Sequence, residues 1–300
     1  MKFDTKRIRS KYTTGLISFK NENTNDIFKN SLGQFSRYSI YPNVDNVRKL
    51  LCTSLGVSSN NLILSAGSEE ILKNLFLILD YNSIQILEHS FELGFYYNRL
   101  LNKKIITNCV SFDGQRFVYS DIGKLGGDAL YLVSPHCPTG IEFTADQIKS
   151  YSRKFKYVIV DEAYLNPTIF DKPIIHNVIY IRTFSKLGGV PGLRIAYSIA
   201  HKNIIDKLNC IRNSYEICTH ATEYLQYIFN NKQLIDDNIH EYVKCYNLLK
   251  KEINSFSVHC ANFATFKSSN LHGKKYKIDD NEFTRVTLTD SKNYENLYYR

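Results

Sequence analysis

The chain has 300 residues, 43 % hydrophobic and 22 % charged, an ordinary globular composition with length for one large domain or for a large and a small one. Its formal charge of +9 is spread along the whole length without a basic run, so charge alone argues for neither nucleic acid nor a membrane surface. Seven cysteines, an odd number with no CxxC pair, argue against a disulfide framework or a zinc site and suit a reducing cytosol. The opening "MKFDTKRIRSKY" lacks the apolar stretch of a signal peptide, and the longest apolar run, "NLFLIL", is far too short to span a bilayer.

Residues 1–40 are polar, rich in Asn, Lys and Ser, and weakly periodic. "NLILSAG" then reads as a strand over 62–66 ending in glycine, and "SEEILKNLFLIL" as a helix with apolar residues at 71, 72, 75, 76 and 79. "SIQIL" (83–87) is the next strand. A helical stretch follows over 92–102, then "KIITNCV" (104–110). "DALYLVS" (128–134), "YVIVDEA" (157–163), "VIYIRTF" (178–184) and "LRIAYSI" (193–199) are nearly continuous apolar runs, the mark of strands buried on both faces. The alternation of strand and helix predicts an α/β domain with a mostly parallel sheet flanked by helices. Residues 202–254 read as helical. Residues 256–300 read as a short α+β ending with "SVHCANFATF", "FTRVTLT" and a last helix. The expected division is an N-terminal arm at 1–34, a large domain at 35–200, and connecting helices with a small domain at 201–300.

In an open α/β sheet, ligands bind beyond the carboxyl ends of the strands. The polar residues at the predicted strand ends are therefore the candidates. Gly67 allows close backbone approach, and Ser68 can cap the helix that follows. Such a helix start can hold a phosphate through free N–H groups, or Glu69 and Glu70 can simply complement the helix dipole. Asp161 ends a buried apolar strand, where a carboxylate needs either neighbouring N–H groups or a cationic ring nitrogen. Tyr164 can serve the same ligand or be a packed aromatic. Lys186 ends another buried strand and is either a surface lysine in a glycine-rich loop or a nucleophile toward carbonyl compounds. Thr183 and Ser185 add hydroxyls, and Arg194 a forked phosphate anchor. His136 and Cys137 have no partners at ligand spacing, so no metal is expected. An amine, a ring-nitrogen carboxylate, a phosphate cradle and an arginine are together the components of a pyridoxal phosphate (PLP) site.

The sequence resembles the class I and II (fold-type I) PLP-dependent aminotransferases, most closely the histidinol-phosphate aminotransferase branch. "YPNVDNVRKLL" resembles that family's "YPDP" segment, and "LSAGSEEIL" its phosphate turn. "SPHCPTG" stands in the place of "NPNNPTG", "VDEAY" and "TFSK…GLR" match in order and spacing, and "FTRVTLT" resembles "RITIGT". The resemblance implies that Lys186 links covalently to the cofactor aldehyde and then moves the proton between Cα and C4′. Asp161 pairs with the pyridine nitrogen and Tyr164 with the phenolic oxygen. Gly67 and the backbone at Ser68 and Glu69, with Thr183, Ser185 and Arg194, hold the phosphate. Phe91 stacks on the ring, Tyr41 reaches the phosphate of a partner subunit's cofactor, and Arg285 grips the substrate carboxylate, with Asn23 in the substrate lid. Three departures stand out. Cys137 replaces the Asn that bonds the phenolic oxygen, "NENT" replaces "NENP", and the short small domain offers lysines 274, 275 and 277 where a phosphate-binding arginine stands in the family.

The implied function is a cytoplasmic, homodimeric aminotransferase acting between an amino acid or phosphorylated amine and a 2-oxo acid, with neither nucleic acid nor membrane as partner. The alternatives are a PLP-dependent decarboxylase of an O-phospho-amino acid and a non-catalytic protein of the same fold.

Overall fold

The computed structural model describes residues 41–268, 270–288 and 291–297. The arm at 1–34 and Asn23 within it lie outside these residues.

The first helix, α1 (Val44–Leu55), starts where the Asn43 side chain accepts the Asn46 N–H at 3.2 Å. It ends at Gly56, whose left-handed backbone returns its N–H to the Cys52 and Thr53 carbonyls. Two βα units follow: β1 (Leu62–Ser65) with α2 (Ser68–Ile78), and β2 (Ser83–Leu87) with α3 (Glu92–Leu100). After β3 (Lys104–Asn108) comes a two-stranded ribbon, β4 (Val110–Phe112) and β5 (Phe117–Tyr119). Then come β6 (Ala129–Val133), α4 (Ala145–Ser152), β7 (Tyr157–Asp161), β8 (Val178–Thr183) and β9 (Ala196–Ala200).

The main sheet has the order β1-β9-β8-β7-β6-β2-β3. The pairs β8–β7, β7–β6, β6–β2 and β2–β3 are parallel, whereas β9 runs antiparallel to both neighbours. Both faces are covered, and successive residues divide between them. Ala129, Tyr131 and Val133 join α2 and α5 (Lys202–Asn209) in one core, while Leu130 and Leu132 join α4 residues in the opposite one. A third core unites α1 and α6 (Thr219–Asn230) with Leu62, Leu64, Tyr197 and Ile199 of the sheet.

The long α7 (Gln233–Glu252) packs Cys245 and Leu249 on Ala264, Phe266 and Val286 of a second, antiparallel sheet. That sheet has the order β10-β11-β13-β12, from β10 (Ser257–Cys260), β11 (Phe263–Phe266), β12 (Lys274–Ile278) and β13 (Asn281–Thr287). Its other face meets the β4–β5 ribbon through edge-to-face contacts of Phe283 with Phe112 and Phe117.

Each expected strand is present, most of them one or two residues shorter at the carboxyl end, where the polar loop residues begin. Three readings change. The helical stretch at 202–254 is three helices, broken near 210–218 and 231–232. The expected last helix is a 3₁₀ segment, Ser291–Leu297. Ser68 is not the cap of α2 but its first residue. Gly67, which has no side chain to cap with, holds the cap position, and the Glu70 carboxylate accepts from the Ala66 N–H and the Ser65 hydroxyl.

Candidate active site

The carboxyl ends of β1, β7 and β8, with the loops that follow them, bring most of the candidate residues together. Asp161 is the last residue of β7 and is 3 % exposed. Its Oδ2 accepts from the Tyr131 hydroxyl at 2.9 Å and its Oδ1 from the Ala163 N–H at 3.1 Å. Burial nevertheless pushes the acid up to about 6. A cation at this position would restore the carboxylate.

Lys186 lies three residues beyond β8, not at the strand end itself. Phe184 still donates its N–H to the Ile195 carbonyl at 3.0 Å, and the chain then turns. The turn is closed so tightly at Gly188 that a Cβ there would overlap the Phe184 backbone. The Tyr224 hydroxyl holds it from α6 by donating to the Gly188 carbonyl at 2.6 Å. The Lys186 amine is set 5.6 Å from the centre of the Tyr164 ring. Burial, and after it the Arg285 guanidinium, hold its pKa below the usual lysine value, against the opposing pull of Cys137 and Asp161. A buried amine with a lowered pKa is the state that attacks a carbonyl carbon.

Tyr164 packs edge-on against Phe263 at 4.9 Å and shares a hydrogen bond with Cys137. Burial, followed by the adjacent Cys137, pushes its phenol above the normal value. Cys137 is half-buried beside that phenol. Arg285 on β13 sits over the Phe263 ring at 5.2 Å, and its Nη1 donates to the Thr287 hydroxyl at 2.9 Å. Its Nε is buried without a partner. A buried guanidinium N–H with no acceptor is costly unless an anion completes it.

The phosphate cradle is equally specific. Gly67 has φ +90°, and a Cβ built on it would collide with the Arg194 guanidinium. Arg194 itself adopts a left-handed backbone, φ +51°, where the 3₁₀ turn Pro191–Leu193 ends. The first turn of α2 contributes the backbone N–H groups of Ser68 and Glu69, neither of them faced by a capping side chain. Thr183 accepts the Ser185 N–H at 3.1 Å and lies 3.0 Å from the Ser185 hydroxyl, which orders the hydroxyl pair after β8. A positively charged, glycine-floored cup at a helix start fits a phosphate. Together with the buried acid and the depressed amine, it fits PLP.

Two expected contributors are exposed in the single chain. Phe91 precedes α3 and is 46 % exposed. Its neighbour Glu92 is bonded to Lys274 of β12 at 2.8 Å. Tyr41 is 63 % exposed and stacks on Tyr215, with ring centres 4.2 Å apart and planes at 6°. The loop bearing Tyr215 is tied to the first turn of α2 by the 2.9 Å bond from Asn213 to Glu70. Of the three lysines of the short small domain, Lys274 pairs with Glu92, and Lys275 bonds the Leu271 carbonyl and the Thr284 hydroxyl.

Sequence reading missed Tyr131, Glu162 and Arg182. The first supports Asp161. The other two form a buried ion pair beneath the site, at 2.6 Å. A charge inside an apolar run, as in "VIVDEAY" and "NVIYIRTF", was the available signal, since each demands an opposite partner.

Comparison with known proteins agrees with this geometry. The profile of the aminotransferase class I and II family matches residues 120–268. A histidinol-phosphate aminotransferase 2 of Oceanobacillus iheyensis is 26 % identical over 224 residues, which cover 69 % of this chain and 62 % of that protein. The matched part is thus less than two thirds of that relative's length. The solved histidinol-phosphate aminotransferase of Clostridium acetobutylicum superposes with a TM-score of 0.72 at 18 % identity, covering 90 % of this chain and 92 % of that one. The L-threonine-O-3-phosphate decarboxylase of Porphyromonas gingivalis superposes at 0.66 with 16 % identity, covering 91 % and 96 %. The fold is that of the fold-type I PLP-dependent enzymes. Over residues 120–268 the chain is similar to the class I and II aminotransferases, and this likeness, with a related structure that holds pyridoxal-5'-phosphate, supports PLP as the cofactor.

Proposed function

We propose that this protein is a PLP-dependent aminotransferase that moves an amino group between an amino acid, or a phosphorylated amine, and a 2-oxo acid. The observation that carries the reading is the convergence of a depressed lysine amine, a buried acid and an arginine-lined glycine cup around one space. When bound, PLP supplies an aldehyde for reversible covalent attachment and a ring that accommodates the electron pair left on Cα.

The protein's own groups do the rest. Asp161 holds the ring nitrogen protonated, and its burial makes that ion pair strong. Arg194, Thr183, Ser185 and the N–H groups at Ser68 and Glu69 anchor the phosphate above Gly67. Tyr164 donates to the phenolic oxygen, with Cys137 beside it, and Phe91 covers the ring. Arg285 binds the substrate carboxylate with its unpartnered Nε. Lys186 would hold the aldehyde carbon of PLP and, as an amine set beside the ring site, would serve as the base that takes and returns the substrate Cα proton. Its pKa, lowered by burial and then by Arg285, makes the unprotonated amine easier to reach than in a solvent-exposed lysine.

The reading includes a cytoplasmic homodimer in which Tyr41 completes the neighbouring site, and it keeps Asn23 in the substrate lid. It keeps the division at residues 35–200 and 201–300. Tyr41's exposed, pre-stacked ring supports a role outside its own subunit. None of the seven cysteines is in a disulfide, and no helix among the described residues is long and apolar enough to cross a membrane.

The test is product analysis with PLP-loaded protein and a panel of amino acids and phosphorylated amines, each paired with 2-oxoglutarate. Glutamate and a new carbonyl compound support the aminotransferase reading. Carbon dioxide with the amine retained would replace it with decarboxylation, in which the carboxylate must leave and not stay gripped by Arg285.

A further inference from the structure

Beside Asp161, on the opposite side of the strand, Glu162 is completely buried. Two cations meet its carboxylate. Arg182 Nε donates to Oε2 at 2.6 Å, and the Lys172 ammonium contacts Oε1. Arg182 does more than neutralise it. Its Nη1 donates to the Asn166 carbonyl at 2.7 Å and to the Ile169 carbonyl at 2.9 Å. One rigid guanidinium therefore fastens three points of the loop that leaves β7, and Lys172 fastens a fourth. The Tyr197 hydroxyl adds a bond to the Pro167 carbonyl at 2.8 Å.

Tyr164 lies on this loop, between the anchors at Glu162 and Asn166. The Leu165 N–H closes the turn around it on the Glu162 carbonyl at 3.0 Å. Arg182 immediately precedes Thr183 on β8, and that strand leads to Lys186. The strand that presents the amine thus also fixes the loop that presents the phenol.

We propose that Arg182 is a positioning residue for Tyr164: its fork holds the 162–172 loop so that the phenol meets the phenolic oxygen of the cofactor. This rests on the PLP reading above. A lysine at 182 would keep the charge opposite Glu162 but could not make the same set of directed bonds.

The experiment compares wild type, Arg182→Lys, Tyr164→Phe and the double variant. The first readout is the pH midpoint of the visible band of PLP-loaded protein. A donor to the phenolic oxygen favours loss of the proton shared with the Lys186 nitrogen, so losing that donor raises the midpoint. Arg182→Lys is expected to raise it by about half a pH unit or more, in the same direction as Tyr164→Phe, and to add nothing to the Tyr164→Phe variant. The second readout is amide hydrogen exchange of PLP-free protein, in which Arg182→Lys is expected to speed exchange over 163–172 about tenfold while β6 and β7 stay protected. Arg182→Met, which leaves Glu162 facing Lys172 alone, serves as the severe variant, and Arg182→Lys keeps the test decisive should that one not fold. An Arg182→Lys protein with a wild-type midpoint or unchanged exchange over 163–172 overturns the positioning role alone. A wild-type protein with no visible band overturns the PLP reading and this role with it.

Discussion

Tyr131 and Asp161 form a buried pair on adjacent strands, the phenol donating to the carboxyl at 2.9 Å, with neither group reaching solvent. One phenol and one backbone N–H do not offset the desolvation of a carboxylate, so the acid rises from 3.8 to about 6. The folded, PLP-free protein therefore holds this proton more tightly than the unfolded chain does. That contribution to stability is complete below pH 3.8 and is lost as pH rises through about 6. Asp161→Asn is expected to raise the melting temperature of the PLP-free protein above pH 6, by the equivalent of up to ~3 kcal/mol, with the gain vanishing near pH 4. The same variant loses affinity for PLP. Thermal melts of stripped protein between pH 4 and 8 check this, and a destabilised variant at pH 7 would contradict it.

Gly67 permits the Arg194 guanidinium to lie where a side chain would otherwise be. Gly67→Ala adds backbone strain of about 1–3 kcal/mol and displaces the guanidinium. The expected result is at least a roughly tenfold weaker retention of PLP on dialysis, with a correctly folded protein by circular dichroism. Unchanged retention would remove Gly67 and Arg194 from the cradle.

At Cys137 the chain has a weak donor beside Tyr164. Cys137→Asn supplies a strong one. The pH midpoint of the visible band is expected to fall by about 0.5–1 unit, while PLP content stays at the wild-type level. Spectrophotometric titration reads this directly, and a raised midpoint would place residue 137 away from the phenolic oxygen.

Arg285 carries a guanidinium Nε that is buried without an acceptor among the described residues. Arg285→Lys keeps a cation and loses the fork. It is expected to lower kcat/KM for amino acids by on the order of 100-fold, mostly through KM, with the visible spectrum unchanged. Steady-state kinetics with the best donor tests it.

The main sheet was legible because its strands are short apolar runs buried on both faces, and because the polar residues that end them are the site. "VIVDEAY" and "TFSK" announced Asp161 and Lys186 through the cost of a charge beside such a run. The β4–β5 ribbon was not legible, since three-residue strands held by Phe112 and Phe117 depend on packing against the distant Phe283. Strand β12 was hidden for a related reason. Three of the five residues in "KKYKI" are lysines, and the segment pairs only because β13 lies beside it. Ser68 looked like a cap by residue type, but it is the first residue of α2, and the Glu70 carboxylate accepts from the Ala66 N–H and the Ser65 hydroxyl just before the helix. Support from Tyr131 and Arg182 is non-local, and no spacing in the chain reveals it.

The central claim is that Lys186 holds PLP. The direct measurement is the visible absorption spectrum of purified protein reconstituted with PLP and freed of excess, for wild type and Lys186→Ala. The expected result is a yellow band in the wild type that is absent from Lys186→Ala and that bleaches when an amino donor is added. A colourless wild type, or a variant that keeps the same band, would contradict it.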